Sequence, residues 1–253
     1  MNQLKKLYDT SKIWFAVAWI IAYCVLMSAG DEISAKLGME KAVTLVIGLL
    51  LSGILLLFLK KYGLFSSYGL CAPKISGKSM LYYAPILPLL SANLWYGVTI
   101  NCGVLETVLY ILAMFCVGFL EEMIFRGLLF EAMRKDNEKV AIIVSSVTFG
   151  FGHIINLING SGAELLPNLL QVVYATAAGF LFVMMYYRSK SLLVCIAVHG
   201  VFNALSVFAK EAGATNETRI WTALLLTVIT GSYALYLACS RKGKVNDEIS
   251  SIS

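Results

Sequence analysis

Apolar residues in this chain fall in long unbroken runs, and the charged residues gather between them. A bilayer span needs about 20 predominantly apolar residues. Eight runs come near that length, at roughly 13–29, 42–59, 80–100, 105–130, 140–158, 168–187, 192–209 and 220–239. They predict an all-α, polytopic membrane protein, a bundle of about eight transmembrane helices. The third run contains Pro85 and Pro88, so it is expected to be kinked or broken, because proline removes a helical hydrogen bond. The connections are short and none resembles a linker. One domain spanning residues 1–253 follows. The polar tail RKGKVNDEISSIS is expected to be loose.

Composition agrees with the pattern. Of 253 residues, 59% are hydrophobic and 14% charged, where a soluble domain carries about 25% charged residues. Mean hydropathy is +0.78. The net charge of +5 is dispersed between apolar runs, which gives no footprint for nucleic acid. With the N-terminus inside, fifteen Lys and Arg fall on the cytoplasmic side, four outside (Lys36, Lys41, Lys210, Arg219), and Arg126 lies within a span. The positive-inside rule then places both termini in the cytoplasm. The first run has a basic lead, Lys5, Lys6 and Lys12, which a cleaved leader would also show. A retained anchor keeps the topology consistent. Six dispersed cysteines without CxxC spacing indicate neither a disulfide framework nor a zinc ribbon.

The fourth run, LETVLYILAMFCVGFLEEMIFRGLLF, carries Glu121, Glu122 and Arg126 deep inside it. Charged groups in hydrocarbon are costly, face protein or water, and mark function. On a helix Glu122 and Arg126 stand one turn apart and can pair. Glu121 points elsewhere and needs a partner from another segment. The chain has two histidines, both in apolar runs: His153 in VTFGFGHIINL and His199 in VCIAVHGVFNA, with Asn203 one turn beyond. Counting 1.5 Å per residue from the run ends puts Glu121 about 13 Å, His153 about 20 Å and His199 about 11 Å from the inner edge. Those depths suit one site in the cytoplasmic half, reached from the cytoplasm. A carboxylate and an imidazole sharing a water can activate it as a nucleophile. A second imidazole and an amide N–H can hold an oxyanion. The set suits hydrolysis of an amide bond.

These residues resemble the CAAX-protease and bacteriocin-processing (CPBP, or Abi) family of intramembrane proteases. EEMIFR is similar to its EExxxR motif, FGFGH to FxxxH and HGVFN to HxxxN, in the family's order and within about residues 115–205. The resemblance implies an intramembrane endopeptidase, a hydrolase of the CAAX-protease type that is glutamate-dependent. Glu121 with His153 would activate water, and His199 with Asn203 would bind the oxyanion. Glu122 and Arg126 would form a structural pair, and Phe149 would position His153. No cofactor is favoured. In a zinc-dependent version of the same protease, Glu121, His153 and His199 would be the ligands. The implied partners are a peptide or membrane-protein substrate and the lipid bilayer of a cell membrane. Two readings compete: a proton-coupled transporter, in which the same acids and imidazoles relay protons, and a non-catalytic immunity or regulatory membrane protein. The glycines flanking the motifs (Gly118, Gly127, Gly150, Gly152 and Gly200) are read as packing positions.

Overall fold

The computed structural model describes residues 1–75, 86–159, 164–210, 212 and 214–250, with side chains described up to residue 239. It is an all-α, multi-pass membrane protein. Its helices are α1 (Asn2–Thr10), α2 (Lys12–Lys36), α3 (Ala42–Lys61), α4 (Ile86–Ser91), α5 (Val104–Glu121), α6 (Glu131–Arg134), α7 (Glu138–Gly152), α8 (Leu165–Ser189), α9 (Leu193–Leu205) and α10 (Asn216–Ser250). A π-helical stretch, Glu122–Phe130, joins α5 to α6 in one continuous rod.

Helix ends follow local chemistry. Ser11 accepts a hydrogen bond from the Trp14 N–H at the start of α2, and Asn137 accepts one from Val140 at the start of α7, each satisfying an orphan donor of the first turn. At the start of α5, Glu106 accepts from the Gly103 N–H.

Among the described residues, six helices are long and apolar enough to span, rather than eight: Lys12–Lys36, Ala42–Lys61, Val104–Arg134, Glu138–Leu157, Leu165–Ser189 and Asn216–Cys239. Two predicted spans differ. The part of the third run with Pro85 lies outside the described residues. The part with Pro88 forms the short α4, a 3-10 turn at Ala92–Leu94 and then irregular chain; Pro88 itself lies within α4, near its start. The seventh run is the 13-residue α9, tightened into a 3-10 turn at Ser206–Phe208, so it is short for a full crossing.

The bundle has two distinct ends. At one, Tyr68 donates to Tyr8 (2.9 Å), the Leu192 N–H to Gly69 (2.8 Å) and the Lys74 N–H to Ser189 (2.8 Å). At the other, the Glu40 N–H donates to Glu106 (3.1 Å), Lys41 pairs with Asp31 (2.8 Å), Asn101 donates to Val207 (2.9 Å) and Tyr96 to Thr218 (2.8 Å). Between these ends α8 packs on α7 and α10, α5 on α9 and α3, and α2 on α3 and the π-helical stretch. Large apolar side chains such as Leu49, Leu50, Leu57, Val173 and Val228 are exposed on the outer surface, as lipid-facing positions are.

Candidate functional site

The site forms where α5 meets α9. A Cβ added to Gly118 would lie 2.8 Å from the Gly200 nitrogen, and one added to Gly200 would lie 2.6 Å from the Phe115 ring. Only glycine permits this approach, and it brings His199 against the two glutamates. The packing reading holds for Gly150 too, where a Cβ would strike Thr176 of α8, but not for Gly152, which has open space.

Glu122 and Arg126 pair at 3.1 Å with both side chains fully buried. The guanidinium lies 4.0 Å from the Phe149 ring centre and 5.4 Å from that of Phe182. Its Nε and Nη2 lack a hydrogen-bond partner among the described residues. The two ring faces supply a cation–π contact in place of those bonds. Carboxylate oxygens paired with a guanidinium serve as hydrogen-bond acceptors. His199 Nδ1 lies 2.8 Å from Glu122 Oε1, within hydrogen-bond reach. That leaves Nε2 facing Glu121 Oε2 at 3.3 Å. Phe182 stacks on the His199 ring (5.4 Å, 17°), and the Phe149 edge meets it at 5.6 Å. An acid, an imidazole, an acid and a guanidinium thus stand in one buried chain.

Glu121 has a second partner, unseen in the sequence: Tyr23 of α2 donates its hydroxyl to Oε1 at 2.6 Å. Oε2 is buried and has no hydrogen-bond partner among the described residues. The only signal for Tyr23 was its position, a phenol near the middle of the first run rather than at an interface.

A cavity of about 360 Å³ reaches this point. Glu121, His153 and Asn203 line it, with Tyr23, Phe149 and Tyr174 among its other walls. His199 does not line it; it sits one layer behind Glu121. His153 is the first residue of a 3-10 turn at the end of α7, where Phe149 meets its ring edge-on at 5.5 Å. Asn168 of α8 holds the turn by donating to the His153 carbonyl at 2.8 Å. No hydrogen bond from the His153 ring is described. A second cavity of about 290 Å³ adjoins the first through Asn93, Gln171, Tyr174 and Phe202.

A bound zinc ion would need Glu121, His153 and His199 to converge. Among the described residues no three His, Cys, Asp or Glu side chains do so. The residues present do not fit the ion.

Residues 103–205 match the family model described as Type II CAAX prenyl endopeptidase Rce1-like. This is the family that the motifs resembled. The match spans all three motifs and ends just past Asn203, while Tyr23 falls outside it. No curated protein matches the chain. An Rce1-like segment in a multi-pass helical bundle supports an intramembrane protease of the CAAX type.

Proposed function

We propose that this protein is an intramembrane endopeptidase that hydrolyses a peptide bond in a peptide or membrane-associated protein, with Glu121 as its base. The observation that carries this reading is the meeting of Glu121, His153 and Asn203 on the walls of one cavity inside the bundle. Water held between Glu121 and His153 gives a proton to Glu121, and its oxygen bonds to the substrate carbonyl carbon. The Asn203 amide donates to the oxygen as it becomes negative. When the C–N bond breaks, the departing nitrogen takes the proton from Glu121, leaving an acid and an amine. His199 serves from behind. Its Nε2 stands 3.3 Å from Glu121 and its Nδ1 2.8 Å from Glu122, so the ring packs the base against the Glu122–Arg126 pair and limits its movement. This differs from the oxyanion role that the family resemblance implied, because His199 is not on the cavity wall. Tyr23 fixes the other carboxylate oxygen.

The test uses purified full-length protein, a panel of membrane-associated peptides with and without C-terminal prenylation, and mass-spectrometric detection of the products. Glu121→Ala should lower cleavage by about 10²–10⁴-fold, the usual worth of general acid–base catalysis, while the protein keeps its unfolding temperature. Cleavage should survive a strong chelator. Undiminished cleavage by folded Glu121→Ala overturns the mechanism.

A further inference from the structure

The cavity has a direction. Below Glu121 the rod is sealed: every residue from Glu122 to Phe130 is buried, and Phe182 and Met185 pack beside them. Above Glu121 the cavity wall continues along α2 through Cys24, Ser28 and Asp31, and along α5 through Met114 to Tyr110. Asp31 lies eight residues beyond Tyr23, about 12 Å further along α2. Lys41, Asn93, Asn159 and Ser206 complete this upper wall. These residues belong to the end of the bundle held by the Lys41–Asp31 pair and by the bond between Tyr110 and Ser206 (2.9 Å).

The opposite end is rich in positive charge among the described residues. Lys60, Lys61, Arg134, Lys135, Arg188 and Lys190 all lie there, and such a bias marks the cytoplasmic side. The expectation of a site reached from the cytoplasm therefore meets two opposing observations, the buried stretch below Glu121 and the cavity wall that continues above it.

We infer that the site is reached from the outer face of the membrane, and that its substrate is an extracytoplasmic segment of a membrane-anchored protein. The inference rests on the protease reading for its chemistry, but the direction of access rests on the cavity and the charge alone. A polar upper wall above an enclosed carboxylate suits a peptide strand, whose amide groups need partners as they leave water. An anchored substrate is delivered at the height of the opening by its own span.

Native thiols mark the two ends: Cys102 near the opening and Cys71 near the basic end, both partly buried. Partial burial, followed by Glu106 and Glu40, pushes the Cys102 thiol above its ordinary range, so labelling is run at about pH 8.5. A membrane-impermeant maleimide applied to intact cells should label Cys102 and spare Cys71, with the reverse in inverted vesicles. Ser28→Cys, a near-isosteric probe within the cavity, should label from the same side as Cys102. In parallel, the same cleavable peptide is fused to the outer or the inner end of a single-span reporter. The outer reporter should be cut at least tenfold faster, and its cutting should vanish in Glu121→Ala. Labelling of Ser28→Cys from the Cys71 side, or cleavage confined to the inner reporter, overturns the inference. Cleavage of neither reporter, with labelling as expected, counts against the protease reading and leaves the direction of the cavity standing.

Discussion

Removing the Arg126 guanidinium while keeping its bulk isolates what the buried pair does. In Arg126→Met, Glu122 keeps its charge but loses the cation at 3.1 Å, with neither side chain open to solvent. Breaking a buried pair on one side costs about 3–5 kcal/mol, because the remaining charge is uncompensated. Part of that loss is the cation–π contact with Phe149 and Phe182. At 2–4 °C per kcal/mol for a chain of this size, the unfolding temperature in detergent should fall by about 6–20 °C. The companion variant Arg126→Met with Glu122→Gln removes both charges but keeps an amide oxygen for His199 Nδ1. It should recover at least half of the loss, since neutral replacement of a buried pair is often tolerated. Intrinsic-fluorescence melting of the parent, both single variants and the double variant closes the cycle. A single variant within about 2 °C of the parent would refute the charge argument. So would a double variant no more stable than Arg126→Met.

Tyr23→Phe keeps the ring but removes the donor at 2.6 Å from Glu121; a bond to a charged group is worth about 1.5–3 kcal/mol, so kcat should drop roughly 10–100-fold with KM little changed. Asn203→Ala should lower kcat by about 10²–10³-fold if the amide meets the oxyanion, measured on the best peptide of the panel. Gly118→Val should drive α5 from α9, because its Cβ would lie 2.8 Å from the Gly200 nitrogen; activity and about 1–3 kcal/mol of stability should be lost. Gly53→Ala, with nothing within 4 Å, should leave melting unchanged or raise it slightly.

Much of the architecture was legible because hydrocarbon imposes a simple rule: spanning backbone must satisfy itself as helix. Run lengths therefore located the six long helices. The 13-residue α9 was over-read, since hydropathy does not reveal where an α-helix tightens into the turn at Ser206. The Glu122–Arg126 pair was visible from spacing, and the meeting of Glu121 with His153 and Asn203 on one cavity was legible as motifs. The rank of His199, one layer behind the cavity, was not. It depends on the depth to which two glycines let α9 sink against α5, a tertiary quantity without a local pattern. Tyr23 was hidden for the same reason, being 98 residues from its partner. Counting residues from the inner edge gives a depth but does not say from which side a site is reached.

The ring of Phe149 meets the guanidinium of Arg126 on its face and stands nearly perpendicular to the imidazoles of His153 and His199. Three polar groups from three separate rods thus share one greasy hinge-pin, although none of them bonds to it. A thinner side chain there would leave every charge and hydrogen bond formally available, yet let the rods slip relative to one another. The cost would appear as lost synchrony between base, imidazole and amide rather than as the loss of any one of them.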